Sequence, residues 1–287
     1  ADEIAVNEAL LASGAPISAM NTVRKHISAI KGGRLAAAAH PARVVSLIVS
    51  DIPGDDPALV SSGPTVRDMA SRADALAVIE TYGMRLPDAV MQHLASPAAD
   101  APKPDDPRFS GHEVHVIASA ARSLEAASAA AEAQGVPAVI LSDAIEGEAR
   151  EVGGVHAAIA REIALRDRPF RKPVVLLSGG ETTVTIRQSG GRGGRNTEFL
   201  LALALGIEGV SGISAFAADT DGIDGSEENA GAFADHRSAA RLRSAGHDPK
   251  ALLAAHDAWG AFDALGDLFV PGPTGTNVND LRAVLVQ

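Results

Sequence analysis

Short, nearly unbroken apolar runs alternate along the chain with longer stretches of helical period. Arg43–Ser50 (RVVSLIVS) is β-branched and almost wholly apolar, the pattern of a strand buried on both faces. His112–Ser119, Val136–Ser142, Pro173–Ser178, Thr182–Arg187 and Gly212–Ala218 read as strands on the same grounds. Between them, Ala121–Gln134 is an alanine-rich helix carrying Leu124, Glu125 and Glu132. Gly135 stops it, because a glycine tolerates the left-handed backbone that closes a helix. Gly147–Arg166 reads as a longer helix, weakened by Gly153 and Gly154, and Thr197–Leu205 as another. From residue 112 onward the order is β-α-β-α-β, which predicts a mainly parallel sheet covered by helices.

The run Ser96–Pro107 (SPAADAPKPDDP) is rich in proline and aspartate and suits neither a helix nor a central strand. It divides the 287 residues into expected domains 1–106 and 107–287, a size that fits two domains. Only Arg43–Ser50 is a clear strand before that boundary, so the first domain is expected to be incomplete as a doubly wound fold. Apolar residues make up 46% and aromatics only 3%, so the core is expected to be aliphatic. The chain has no cysteine, which excludes a disulfide scaffold, a thiolate nucleophile and a cysteine zinc site.

The formal charge of −11 argues against nucleic acid as a partner, since that class needs a dense basic surface. No apolar run approaches the roughly 18–20 residues of a membrane span, and no basic-then-apolar leader opens the chain. The expectation is a soluble, cytoplasmic protein with neither membrane nor nucleic acid as partner; a homodimer is compatible with it.

Candidate chemistry lies in the loops after strands, where parallel α/β sheets bind ligands. Asp51, Asp55 and Asp56 crowd a Pro/Gly turn after Arg43–Ser50, and hard oxygen ligands there suit Mg²⁺. A plain turn and helix cap accounts for them equally simply, and on this segment alone is the better account. Ser178, Gly179, Gly180 and Glu181 follow the next strand pair's first member. The loop Ser189-Gly190-Gly191-Arg192-Gly193-Gly194-Arg195-Asn196 then opens a helix. Its backbone N–H groups, the helix N-terminus and two arginines could hold a phosphate, although a glycine-rich hairpin with solvated arginines balances that reading. It matches neither a P-loop nor a dinucleotide fingerprint.

Asp219, Asp221 and Asp224 sit after Gly212–Ala218, at a spacing that fails the EF-hand pattern but leaves a Mg²⁺ or general-base role open. Thr274 and Asn277 belong to a small, hydroxyl-rich stretch suited to a polyol or phosphate. Arg24, Lys25 and His26 spread around a helix, so that segment by itself reads as a solvated face. His112 and His115 make a poor metal pair, Trp259 and Tyr82 read as packing residues, and no GxSxG elbow supports hydrolysis at Ser178.

Seven stretches, SGAPISAMNTVRKHIS, IKGGRLA, SDIPGDDPALVSSGPT, SGGETTVTI, GGRGGRNTEF, AADTDGIDG and GPTGTNVNDLR, run in one order over nearly the whole chain. Together they resemble the glycerate 2-kinase family, the class II kinases of the MOFRL type, some of which carry the older label hydroxypyruvate reductase. The resemblance implies two three-layer α/β domains, the first Rossmann-like and here incomplete, the second a MOFRL-type domain, with an active site in the cleft between them. It implies transfer of the γ-phosphate of ATP to the 2-hydroxyl of D-glycerate with Mg²⁺.

On this resemblance Arg195, Asp221 and Asp51 are the catalytic residues. Ser178, Gly179, Gly180, Glu181, Arg192, Gly193, Gly194, Asn196, Thr274 and Asn277 contact nucleotide and phosphate. Asn21, Lys25, Lys31 and Arg34 bind substrate, and Asp55, Asp219 and Asp224 bind metal. Thr197 and Pro271 depart from the glutamine and threonine of the family pattern. The family also begins with a further segment bearing a Gly-Lys-Ala motif whose lysine is assigned to catalysis. No such motif occurs here, so the chain is expected to be the larger part of a longer enzyme.

Two other functions compete with the kinase. An NAD(P)H-dependent hydroxypyruvate reductase would show hydroxypyruvate-dependent loss of nicotinamide absorbance, but it requires a dinucleotide fingerprint that the chain lacks. A non-catalytic nucleotide- or sugar-acid-binding remnant would show ligand binding by calorimetry without turnover.

Overall fold

The structure is a computed structural model that describes residues 2–52, 54–186 and 190–287. Its contacts divide the chain into two units, Ala1–Ile117 and Ala118–Gln287.

The first unit is built mainly of helices: α1 (Asp2–Ala12), α2 (Ile17–Ile27), α3 (Arg34–Ala38), α4 (Arg72–Thr81) and α5 (Asp88–Ala95). Val6 and Leu10 of α1, Val23 of α2, Ile79 of α4 and Leu94 of α5 meet in one aliphatic core. A capping box starts α4: Asp74 N–H donates to the Ser71 hydroxyl, and the Asp74 carboxylate accepts from Ser71 N–H at 2.7 Å. Strand β1 (Val45–Val49) pairs with β2 (Glu113–Ala118) in a two-stranded sheet. This corrects the expectation of a strand buried on both faces. In so small a sheet the side chains of Val45, Leu47 and Val49 point outward, and all three are exposed. The pairing of β2 with β1 also carries the first unit past the Pro/Asp run to Ile117.

The second unit is a six-stranded sheet with helices on both faces. In chain order its elements are α6 (Ala120–Ala133), β3 (Ala138–Ser142), β4 (Gly147–Glu148), α7 (Ala149–Arg166), β5 (Val174–Gly180) and β6 (Thr182–Thr183). There follow α8 (Arg195–Ile207), β7 (Ile213–Asp219), β8 (Gly231–Asp235), α9 (Ser238–Ser244), α10 (Pro249–Ala254), α11 (Ala258–Leu265), β9 (Leu268–Phe269) and β10 (Asp280–Val286). The strand order is β3-β5-β10-β7-β8-β9. Only β3 and β5 run parallel, and the other four pairings are antiparallel. The expected mainly parallel sheet is therefore mixed. The cause is β10, which inserts between β5 and β7 against both, an arrangement that no β-α-β reading of the preceding segments can foresee.

Helix α8 is the central helix. Phe199, Leu200, Leu203 and Ile207 are fully buried among Val174, Leu176, Ile213, Val284 and Val286 of the sheet. Gly153 of α7 is less a weakness than a point of close approach. A Cβ there would lie 2.3 Å from the Phe199 carbonyl oxygen, so only glycine lets α7 pack against α8 this tightly. The strand expected at Thr182–Arg187 reduces to Thr182–Thr183, paired with β4, and Arg187 lies outside the described residues. Among the described residues no helix is long and apolar enough to cross a membrane.

Candidate functional site

Strand alternation and register assemble the site. On β10 the buried positions are Asp280, Arg282, Val284 and Val286, all on the face toward α8. The antiparallel register sets Asp280 opposite Gly180 of β5 and Asp219 of β7, and Arg282 opposite Ser178 and Ala217. The polar ends of three adjacent strands thus meet the first turn of α8, which supplies Arg195 and Asn196.

Arg195 is the hub. Its Nε donates to Asp280 Oδ1 at 2.8 Å, one terminal nitrogen to Glu181 Oε1 at 2.8 Å, and the other to Asp219 Oδ2 at 2.5 Å. Asp280 also accepts from Asn196 Nδ2 at 2.8 Å and from Arg282. The side chains of Asp280 and Arg282 are 0% exposed. Arg282 reaches Gly179 O at 3.3 Å and Thr182 Oγ1 at 3.2 Å, and its guanidinium lies 5.3 Å from the Phe199 ring centroid. Burial works to lower the pKa of Arg195, but Asp280, Asp219 and Glu181 outweigh it and raise the value. For Arg282 burial prevails, and its pKa falls. Burial likewise lifts Asp219 to about 6, with Asp280 and Asp221 adding repulsion against the pull of Asp221 N–H and Arg195.

Beside this network opens a cavity of about 1060 Å³. Glu181, Asp219 and Arg195 line one side, and Gly190, Gly191, Gly193 and Gly194 line another with Glu198 and His256. Of the residues expected from sequence, Glu181, Gly193, Gly194, Arg195 and Asp219 line this cavity. Ser189, read as part of the same loop, lies outside the described residues.

Other expected residues hold the frame around the cavity. Asp224 is buried and caps α8: its carboxylate accepts from the N–H groups of Asn196 and Thr197 and from the Thr197 hydroxyl, each at 2.8 Å. The anion at the α8 N-terminus is therefore the protein's own, and burial raises the pKa of that carboxyl. Thr197 earns its place here, since its hydroxyl also accepts from Gly194 N–H at 3.1 Å. Ser178 is buried and donates to His156 Nε2 at 2.9 Å, while His156 Nδ1 donates to Val152 O at 2.8 Å. Gly179 and Gly180 close β5 beside Leu281 and Asp280.

Asp221 is half-buried beyond Asp219, and its Oδ1 accepts from Ile223 N–H at 2.8 Å. Thr274 and Asn277 are exposed on the loop before β10; Thr274 donates to Thr220 O at 2.5 Å, and Asn277 Oδ1 accepts from Asn279 N–H at 3.0 Å. Arg192 is exposed, its guanidinium 4.0 Å from the Trp259 ring centroid.

In the first unit, Asp51 is exposed after β1, and Asp55 is half-buried with φ of 52°. Asn21 and Lys31 line a second cavity of about 420 Å³ with Arg24, Ser28, Ser61 and Ser62. Lys31 donates there to Ser61 O at 3.0 Å. Lys25 and Arg34 instead brace the unit. Lys25 forms a buried ion pair with Asp68 at 3.1 Å, and Arg34 donates to Ala99 O at 2.7 Å and to Lys25 O.

The residues missed from sequence are Asp280, Arg282, Glu198 and His256. The first two stood in the quoted stretch GPTGTNVNDLR, and period-two alternation with Val284 and Val286 marks them as inward-facing. Glu198 and His256 carried no local signal. Among the described residues no group of three or more His, Asp or Glu side chains is arranged to hold a metal ion.

Comparison with known proteins adds to this geometry. Residues 1–95 match a domain of unknown function, DUF4147, and residues 174–280 match the MOFRL family. Two Agrobacterium vitis proteins provisionally named hydroxypyruvate reductase are 54% and 52% identical over 99% and 100% of this chain, which covers 64% and 74% of their lengths. The D-glycerate 2-kinase of Thermotoga maritima is 40% identical over 98% of the chain and 66% of its own length. A crystal structure of glycerate kinase from that organism superposes with a TM-score of 0.89 at 40% identity, over 98% of this chain and 66% of that one. The chain thus spans a little under two thirds of the length of several relatives it matches.

Proposed function

This chain belongs to the glycerate 2-kinase family, and from that membership we propose that it transfers the γ-phosphate of ATP to the 2-hydroxyl of D-glycerate, with Mg²⁺, to give 2-phosphoglycerate and ADP. The observation that carries the reading is Arg195, held by three carboxylates at the edge of a large open cavity whose other wall is a glycine-rich loop.

Phosphoryl transfer asks for positioning and charge neutralisation more than covalent chemistry. The 2-hydroxyl oxygen attacks the γ-phosphorus in line, the bond to the ADP oxygen breaks, and the hydroxyl proton passes to a carboxylate. Arg195 neutralises charge building on the transferring group, and its grip on Asp280 and Asp219 fixes the guanidinium beforehand. The N–H groups of the glycine loop face the phosphates.

The cavity carries more carboxylate than cation, so a polyphosphate entering alone would meet repulsion. Glu181 and Asp219 offer the hard oxygens that Mg²⁺ prefers. One or two carboxylates completed by phosphate oxygens is its common mode of binding. Bound Mg²⁺ would supply charge neutralisation at the phosphates. Asp219 at the end of β7 and Asp221 just beyond it divide cation holding and proton acceptance between them, and Asp51 keeps the catalytic role that the family resemblance implies.

The test is ATP-dependent phosphorylation of D-glycerate followed by phosphorus NMR. The expected product is 2-phosphoglycerate; 3-phosphoglycerate would overturn the regiochemistry. The names of the Agrobacterium relatives favour a second reading, hydroxypyruvate reduction. Against it, Asp224 fills the α8 N-terminus, the kind of position where a dinucleotide pyrophosphate binds. Oxidation of NADPH by hydroxypyruvate with no transfer from ATP would replace the kinase reading with this one.

A further inference from the structure

Resting on the reading of the cavity as a nucleotide site, we propose that Arg150, Glu198 and His256 form a positioning cluster that holds the glycine-rich loop 190–194 in its binding conformation.

The loop lies on the joint between α10 and α11, residues 255–257, and on the first turn of α11. A Cβ on Gly191 would stand 2.2 Å from Ala255 O and 2.5 Å from His256 O, so the two backbones touch here only because the residue is glycine. Arg192 N–H donates to Asp257 Oδ1 at 3.2 Å, and Trp259 N–H donates back to Arg192 O at 3.0 Å. The Arg192 guanidinium then covers the Trp259 ring. Wherever the joint goes, the loop follows.

A short connection between two small helices does not fix its own position, and this one contains His256 at φ 56°, an unfavourable backbone for a residue with a side chain. The side chain holds it there. His256 is buried, and its Nδ1 lies 3.0 Å from Glu198 Oε2 and 2.9 Å from Arg150 Nη2. When Nδ1 carries a proton it donates to the carboxylate. When it does not, it accepts from the guanidinium, so the ring is held in either tautomer. Arg150 Nε donates to Glu198 Oε1 at 2.7 Å, and Arg150 also donates to Leu253 O at 3.0 Å, just before the joint. Glu198 stands one turn along α8 from Arg195, and Arg150 starts α7. The cluster therefore refers the loop to the two helices that frame the catalytic side of the cavity.

Trp259 is the single tryptophan, so its emission reports the joint directly. The test compares the parent with Glu198→Gln, His256→Ala and His256→Asn, the last because asparagine tolerates positive φ and its amide can meet the same partners. Acrylamide quenching is measured on each ligand-free variant, and thermal midpoints establish that each is folded. Steady-state kinetics then give KM for ATP, KM for D-glycerate and kcat. Glu198→Gln and His256→Ala are expected to raise the quenching constant roughly twofold. They are also expected to raise KM for ATP about tenfold, with KM for D-glycerate and kcat within about threefold. His256→Asn is expected to restore most of both. Folded variants with parental quenching and parental KM for ATP would overturn the proposal, as would an equal fall in every kinetic constant. If His256→Ala does not fold, Glu198→Gln and His256→Asn decide. A parent chain without turnover bears on the kinase reading alone, and the quenching comparison then decides the positioning claim.

Discussion

Replacing Arg282 with methionine removes a guanidinium that, like its Asp280 partner, is wholly enclosed. Methionine fills much of the same volume against Phe199, so the change tests charge and hydrogen bonding more than packing. The variant loses the contacts to Gly179 O and Thr182 Oγ1 and strands part of the Asp280 charge, which keeps Arg195 and Asn196 as partners. Removing one member of a buried pair costs about 3–5 kcal/mol. The lower end applies here, because among the described residues Arg282 Nε is buried without a hydrogen-bond partner and burial already disfavours the charged form. A loss of about 3 kcal/mol corresponds to a fall of roughly 6–12 °C in midpoint for a unit of this size. Guanidinium unfolding followed by emission of Trp259, which lies in the second unit, measures it. Combining Arg282→Met with Asp280→Asn removes the stranded charge as well, so the double variant is expected to be more stable than the sum of the singles by about 1–3 kcal/mol. A single-variant loss below about 1 kcal/mol, or strict additivity, would refute the view that these two charges depend on each other.

Arg195→Ala is expected to lower kcat by on the order of 10³-fold in the phosphorylation assay; near-parental turnover would remove Arg195 from the mechanism. Asp219 has its pKa raised from 3.8 to about 6 in the folded protein, so the fold holds that proton to a higher pH than the unfolded chain does. Its contribution to stability is complete below pH 3.8 and is lost as pH climbs through about 6. Asp219→Asn is accordingly expected to gain stability relative to the parent between those limits, and a constant difference across denaturation curves at several pH values would contradict it. Lys25→Met breaks the buried pair with Asp68 and is expected to destabilise the first unit by about 3–5 kcal/mol, read by hydrogen exchange in α2 and α4. Parental protection in those helices, with a raised KM for D-glycerate, would instead assign Lys25 to the substrate.

Most elements of the second unit were legible because each has a strong local signature. Ala120–Ala133 begins at a serine whose hydroxyl accepts from Arg122 N–H and ends before Gly135 at φ 78°, close to the limits its composition marks. Arg195, Asp219 and the glycine loop stood out as candidates because charged and glycine-rich residues stand where strands end. Strand β10 was not, since Asp280-Leu-Arg-Ala-Val-Leu-Val mixes two charges into an apolar alternation. Read alone, it resembles the half-polar edge of a sheet more than its buried centre.

The sequence by itself determined the α/β class, the helices α6, α7 and α8, and the family to which the motifs point, because these rest on periodicity, capping and local composition. Only the tertiary structure decided what each charged residue is for. Asp219 ends β7 and Asp224 lies in the loop just after it, yet one pairs with Arg195 at the cavity while the other caps α8 out of reach of solvent. Lys25 and Lys31 sit in one basic segment, yet one is spent on Asp68 and the other lines a cavity. A side chain's task depends on the partners that strand register and helix packing bring to it from tens of residues away, and those distances in sequence leave no local trace.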